Sequence, residues 1–423
     1  MGTTVKRTPL NSRHRNHGAN MADFGGYDMP LWYSSVKAEH LAVLTGAGIF
    51  DTSHMAAVTI TGPDADDLLQ YCFTNDLNAC MGPSRKPLVP GRCVYGAFLD
   101  EKGETIDDAI TFFIGPDSYM AVVNAGMGGT ISKHLQHHLD GRSAVVTDLT
   151  DRLGKLDIQG PASAKILAKI LADPEAVFTG MPYFSFKGHF DNTSPLADAV
   201  RLDDGTPILL SRTGYTGEFG FEIFLAPDKL QRLWDRLLEA GRSHGLMPCG
   251  LAARDSLRTG AVLPLSHQDI GHWPFINHPW SFALPYPADR TGFTKNFIGR
   301  AALEHLTDAP FTHAFVGKDL RKVSAGENSR VIDADGRDIG TVLTCATDMG
   351  IGRVGGNIYS VAGPDNPDGF KARGLCCGFV RVDRKLSSGE QVDIADSRRQ
   401  ITVTIVDDVR PHRTARKPLA DML

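Results

Sequence analysis

No apolar run in this sequence approaches the ~18 residues that a membrane-spanning helix needs, so no such helix is expected. The N-terminal stretch MGTTVKRTPLNSRHRN is basic but lacks an apolar segment, which argues against a secretory signal. Lys6 stands where N-myristoylation requires Ser or Thr, so that anchor is not expected either. Positive charge is not in surplus: the formal net charge of −5 argues against a general nucleic-acid binder. The seven cysteines (Cys72, Cys80, Cys93, Cys249, Cys345, Cys376 and Cys377) form no CxxC pair. Reduced thiols packed as small hydrophobes, in a cytoplasmic protein, are the expectation. Nucleophilic catalysis finds no Gly-x-Ser-x-Gly elbow and no cysteine with a histidine signature.

What is present reads as an ordinary globular chain, 42% hydrophobic and 22% charged, with 423 residues for two or three domains. Two segments share a pattern: VTITGPDADDLLQYCF (58–73) and LDIQGPASAKILAKIL (156–171). Each reads as an alternating strand, then Gly-Pro, then an amphipathic helix, since proline fits a first helical turn where its missing N–H has no partner. Further strand-to-helix passages follow, and the expected fold class is α+β with largely antiparallel sheets. The pairing of two such units raises a duplication as one reading and chance as the other. Near EHLTDAPFTHA (304–314) the character changes to short β-rich runs between Gly- and Asp-rich turns, which suits a small C-terminal β-barrel. The expected division is therefore a body over 1–303 and a barrel domain over 304–423. The Gly- and Pro-rich stretch 352–374 reads as a long surface loop, and the basic end VRPHRTARKPLADML as a solvated or domain-clasping segment.

Four stretches carry candidate chemistry. GETIDDAITFF (103–113) puts Asp107 and Asp108 inside a strand. Alternation places Asp108 with Ile106, Ile110 and Phe112, a face where an unpaired carboxylate is costly; Asp107 reads as the bystander. SRTGYTGEFGFEIF (211–224) brings glycines that allow close backbone approach, then Glu222 in an alternating strand. PCGLAARDSLR (248–258) places Arg254 and Arg258 on one helix face, either in an ion pair with Asp255 or gripping a ligand by the guanidinium fork. LPLSHQDIGHWPFINHPWSFALP (263–285) holds His267, Asp269, His272 and His278, whose spacing fits no zinc motif, so no metal is expected. Its aromatics Trp273, Phe275, Trp280 and Phe282 either pack as core or line a pocket for a flat ligand.

Taken in order, RTPLNSRHRNHGANMADFGGYDMPLWYSS, GIFDTSHM, TGPDADDLLQYCFTNDL, LDEKGETIDD, VVNA, SRTGYTGEFGFEI, GLAARDSLR and FIGRAAL resemble the T-protein (aminomethyltransferase) family of the glycine cleavage system. The same family includes folate-dependent demethylases such as dimethylsulfoniopropionate demethylase. The resemblance implies a three-domain cloverleaf with a small C-terminal β-barrel and tetrahydrofolate as cosubstrate in a central funnel. It implies Asp108 as the catalytic acid. Tyr95 and Asn124 match pterin-pocket positions, Tyr183 and Tyr215 flanking aromatics, Glu222 the acceptor for the amino-pyrimidine edge, and Arg254 a folate contact. The implied reaction moves an aminomethyl carbon from lipoylated H-protein to tetrahydrofolate with release of ammonia. The alternative is a folate-dependent methyltransferase or demethylase acting on a small S-, N- or O-methylated donor. The chain departs from the family at Phe112, Phe219 and Thr259, and most of all over 263–285, where the wall for the one-carbon donor is rebuilt.

Overall fold

The computed structural model describes residues 5–423; the Met1–Thr4 start, on which part of the lipidation reading rests, lies outside them. Both strand–Gly-Pro–helix units form. Strand Ala56–Thr61 leads into helix Ala65–Cys72, and strand Gly154–Gln159 into helix Ser163–Leu167. The glycines between them, Gly62 and Gly160, have φ of +121° and +123°. A Cβ at Gly62 would lie 2.5 Å from the Ser143 carbonyl oxygen, and one at Gly160 would lie 2.6 Å from that of Gly46. Glycine is therefore required twice, for one steric reason.

A three-stranded meander follows each unit and returns to it. Arg92–Leu99, Thr105–Gly115 and Ser118–Val123 run antiparallel, the last pairs with Ala56–Thr61, and Val145–Asp148 completes a five-stranded sheet. Phe186–Gly188, Leu209–Ser211 and Gly220–Leu225 repeat the plan against Gly154–Gln159. Here Ala47–Asp51 is added on the far side and pairs in parallel with Leu246–Pro248, giving six strands. The likeness of two short sequence segments thus extends to the topology of two sheets. Helix Leu230–Gly241 covers the second sheet with one face, Leu230, Leu233, Trp234, Leu237 and Gly241, the i, i+3, i+4, i+7 series its sequence displays.

The C-terminal strands close into an antiparallel barrel in the order Phe311–Gly317, Leu375–Val382, Asp338–Asp348, Arg330–Ile332, Gln391–Ala395, Gln400–Val406. The expected α+β class with a small β-barrel is the observed one. One local reading changes and another is narrowed. The stretch expected as a loop over 352–374 begins inside a β-hairpin, Ile351–Val354 with Asn357–Ser360. Alternation there is short and Gly-interrupted, which hides a strand from sequence. The basic end is a clasp: the fully buried Arg410 joins Asp348 of the barrel to Glu218 of the body. Arg212 donates onward to the carbonyls of Ala415 and Lys417.

Segment 263–285 has no strand and a single 3-10 turn at Ser281–Ala283. Its aromatics divide. Phe275 and Trp280 are 1% exposed in a core shared with Phe297 and with Ala314, Val316 and Phe379 of the barrel. Trp273 lies under the Arg381 guanidinium at 4.4 Å, and Phe282 stays 62% exposed against Tyr95, with ring centroids 5.8 Å apart. All seven cysteines are free. No helix among the described residues is long and apolar enough to cross a membrane.

Candidate active site

The two adjacent aspartates of strand Thr105–Gly115 are held by one amide. Asn124, just past the end of strand Ser118–Val123, donates through Nδ2 to Asp107 Oδ1 at 2.8 Å and to Asp108 Oδ1 at 2.7 Å. Its backbone N–H donates to Asp107 Oδ2 at 2.9 Å. Tyr95, on the neighbouring strand Arg92–Leu99, donates its hydroxyl to Asp108 Oδ2 at 2.8 Å. Ser266 donates to Asp107 Oδ1 at 2.8 Å. Burial, joined by the charge of Asp108, pushes Asp107 up to about 7. Burial also raises Asp108, against the hydrogen bonds from Tyr95 and Asn124 that favour its ionised form. Two adjacent carboxylates whose proton affinity burial raises, Asp107 to about 7, are equipped to take up and return a proton.

This arrangement corrects two readings of the strand. Asp107 is no bystander: it is fully buried and carries three hydrogen bonds. Ile106 does not share the Asp108 face. The pairing with Arg92–Leu99 slips between Phe98 and Leu99, so Ile106 is an extra residue in the ladder. A bulge of that kind breaks strict alternation. Ile106 packs with Ala109 and Phe113 on one side of the sheet, while Ile110 and Phe112 pack on the other.

Glu222 and Arg254 belong to a second buried cluster. Glu222 lies on strand Gly220–Leu225 directly opposite Asp157, and Lys155 Nζ reaches Glu222 Oε1 and Asp157 Oδ1, each at 2.5 Å. Thr213 donates to the other Glu222 oxygen. Arg254, in helix Leu251–Gly260, donates to Asp157 Oδ2 at 2.6 Å. Two cations and two anions thus neutralise each other in a buried space, and the positive partners hold Asp157 down at about 2 against the opposing effect of its burial. Sequence reasoning named Glu222 and Arg254 and missed Lys155 and Asp157. Their signal was a K-x-D alternation in KLDIQ, which puts two opposite charges on one face of an otherwise apolar strand.

The expected flanking aromatics border both clusters. The Arg254 guanidinium lies 4.8 Å from the Tyr215 ring, whose hydroxyl donates to the Pro264 carbonyl. Burial raises the Tyr215 phenol, and the charges of Asp108 and Asp269 add to that effect while those of Arg258 and Arg254 oppose it, so Tyr215 feels both clusters. Tyr183 packs edge-on against Phe184 at 4.8 Å and lies beneath Arg416. Its carbonyl accepts from Arg92, on the same strand as Tyr95. Tyr95, Asp108, Asn124, Tyr215, Glu222 and Arg254 are thereby joined through two contiguous networks, and Tyr183 stands at their edge.

The four candidate metal-ligating residues of 263–285 go to different places. Asp269 is fully buried, where it accepts from Arg258, from Thr344 at 2.7 Å and from the Leu265 N–H at 3.0 Å. His278 lies in the aromatic core between Phe275 and Trp280, and burial lowers it to about 4. His267 faces Asp107, with its ring 6.2 Å from that of His272. Arg258 makes the intrahelical pair with Asp255 that its spacing suggested, at 2.7 Å.

Buried His54 lies beside the second cluster and meets the rings of Phe24 and Tyr27 edge-on. Burial lowers it to about 4, reinforced by Arg254 and Lys155 and opposed by Asp51 and Asp157. Between pH 6.5 and 4 the unfolded chain binds a proton there that the folded chain does not, so this residue's contribution to stability falls as pH falls. The His54→Gln variant is expected to lose less stability than the parent between those pH values. Urea unfolding at several pH values checks it; parallel pH profiles for the two proteins would overturn it.

The family described as GCVT N-terminal domain matches residues 10–273. An aminomethyltransferase of Herpetosiphon aurantiacus is 36% identical over 354 residues, 82% of this chain and 88% of the relative. One from Streptomyces coelicolor is 35% identical over 360 residues, 83% of this chain and 88% of its own. The crystal structure of glycine cleavage system aminomethyltransferase T from Bartonella henselae superposes with a TM-score of 0.73 at 26% identity, covering 95% of this chain and 97% of that one. A family match over most of the body, relatives aligned over 88% of their own length and a matching three-dimensional course agree that this chain belongs to the glycine cleavage T-protein family of aminomethyltransferases.

Proposed function

We propose that this protein moves an aminomethyl carbon from lipoylated H-protein to tetrahydrofolate, releasing ammonia and forming 5,10-methylenetetrahydrofolate. The observation that carries the reading is the paired carboxylate Asp107–Asp108, oriented by Asn124 and Tyr95 and bordered by Tyr215 and the Glu222–Arg254 cluster. In this reading residues 1–303 form the folate-binding body and residues 304–423 the barrel domain.

The donor set suits a flat, polar-edged ligand. Tyr95, Tyr183 and Tyr215 offer aromatic faces for stacking. Each oxygen of Glu222 has one protein partner, which leaves carboxylate lone pairs for the paired donors of a pterin edge. When bound, tetrahydrofolate supplies the two nitrogens that receive the carbon. Asp108 takes up and returns a proton beside those nitrogens. Tyr95 and Asn124 fix the direction of its carboxylate, and Arg254 keeps the second cluster neutral while presenting its guanidinium over Tyr215. Such a mechanism rests on proximity and a positioned base.

The test is incubation with tetrahydrofolate and aminomethylated H-protein, with methylenetetrahydrofolate and ammonia measured together. Formation of 5-methyltetrahydrofolate from small methylated donors, with none from H-protein, would overturn the reading. A narrower prediction concerns Glu222→Gln, which keeps the size of the side chain and removes its charge. Folate affinity is expected to fall about tenfold or more, the loss typical of a charged hydrogen bond. An unchanged dissociation constant in calorimetry would take Glu222 out of the pocket.

A further inference from the structure

The turn Leu265–Asp269 is fixed from beneath. Asp269 accepts from the Leu265 N–H at 3.0 Å and from Thr344 at 2.7 Å, and Arg258 completes its partners. The N–H groups of Gln268 and Asp269 both return to the Leu265 carbonyl, at 3.2 and 2.9 Å. At the tip of this turn His267 has φ of +62°, a left-handed conformation that favours glycine and costs a histidine about 1 kcal/mol or more. The strain places a half-exposed imidazole with Nε2 3.7 Å from Asp107 Oδ1, while its neighbour Ser266 donates to the same oxygen. The groups facing the imidazole are Asp107 and Asp108 from strand Thr105–Gly115 and His272 from its own segment. It is a titratable side chain with one edge on the buried carboxylates and the other in water.

We propose that His267 is the proton relay of the site, exchanging the proton of Asp107 with water each time Asp108 changes its protonation state. The proposal rests on the reading that Asp108 does proton chemistry. Transfer of the aminomethyl carbon removes one hydrogen from each of two folate nitrogens and delivers one to the lipoyl sulfur and one to ammonia, so no net proton is consumed. Two adjacent buried carboxylates do not both ionise without cost, while the donors of Asn124, Tyr95 and Ser266 that surround them favour keeping one of the two ionised. When Asp108 accepts a proton from a folate nitrogen, the imidazole closes the 3.7 Å gap to hydrogen-bond distance and the Asp107 O–H gives its proton to the Nε2 lone pair, leaving a carboxylate; the imidazolium then releases a proton to water. When Asp108 returns its proton to the leaving amine, the same steps run backwards. His267 acts through Asp107 and is a positioning residue, not a catalytic one. Burial and His272 lower its affinity for a proton and Asp108 raises it, so it binds one only transiently at neutral pH.

The informative variant is His267→Gly, because glycine relieves the positive φ and a loss of activity cannot then be put down to misfolding. The thermal midpoint is expected to hold or rise, folate affinity to stay unchanged, and kcat at pH 7 to fall roughly 10–100-fold, with added imidazole restoring part of the rate. A fully active His267→Gly enzyme, or a slow one that imidazole does not accelerate, overturns the relay. Should the parent protein fail to use aminomethylated H-protein, the proposed function falls and the relay is judged by NMR of the labelled histidines. The His267 titration midpoint must then shift in Asp107→Asn relative to the parent, and an equal midpoint in both overturns it.

Discussion

Replacing Asp108 by alanine is expected to reduce kcat for methylenetetrahydrofolate formation by ~10²–10⁴-fold, the range typical of a lost general acid–base group, while folate still binds. The expectation follows from where the carboxylate sits. Its two oxygens take Tyr95 and Asn124 as partners, and burial holds its proton affinity above the ordinary carboxylate value. Removing it leaves a phenol and an amide hydrogen without acceptors, which costs ~1–3 kcal/mol for each unsatisfied group. The Asp108→Asn variant, of nearly the same shape, separates that structural cost from the chemical one. It should fold closer to the parent and be comparably inactive. Rapid-quench assays give kcat, and calorimetry with tetrahydrofolate gives binding. An Asp108→Ala protein that turns over at the parent rate would sink the mechanism.

Arg410→Met is expected to destabilise the protein by ~3–5 kcal/mol, the cost of leaving a buried charge without its partner. Arg410 is fully buried between the barrel and the body, where its guanidinium meets Asp348, Glu218 at 3.2 Å and the carbonyls of Thr216 and Leu257. Burial alone would raise Asp348; Arg410 and His40 reverse that and hold it well below the usual carboxylate range. Without the guanidinium, the buried Asp348 and Glu218 carboxylates lose the cation they share. A triple variant that also carries Glu218→Gln and Asp348→Asn should recover much of the loss, since no charge then remains to be satisfied. Denaturant unfolding measures both proteins. A single variant that loses under ~1 kcal/mol would show that water reaches the junction and that the clasp is weak.

Residues close together in sequence told more than residues close together in space. The Gly-Pro units, the helix faces and the barrel strands were legible because their signals are periodic over a few residues. Asp108, Tyr95 and Asn124 were legible from the blocks of resemblance, and the three do meet. The role of Asp107 was not, because two of its partners, Ser266 and His267, lie some 160 positions away in a stretch without repeating pattern. The bulge at Ile106 was invisible for a related reason, since a bulge is a property of the paired strand as much as of the strand that carries it. Glu222 read correctly as an acid on a strand. That it shares a lysine with Asp157 emerges only when two strands are laid side by side. The aromatics of 263–285 read as core or pocket, and the chain uses Phe275 and Trp280 for the first while leaving Phe282 at the rim.

The two sheets, built on one plan, have taken on different duties. The first carries the paired carboxylates of the proposed proton chemistry; the second carries the locked ions beside the proposed ligand edge. Neither supplies the irregular segment 263–285, which leans on the barrel and meets the first sheet through Ser266 and His267 at Asp107, Gly271 at Thr105 and Phe282 at Tyr95. A single loop thus ties the barrel, the first sheet and helix Leu251–Gly260 together. Any change to that loop therefore reaches the Asp107 carboxylate through Ser266 and the Tyr215 hydroxyl through Pro264, so loop and carboxylate pair must change together.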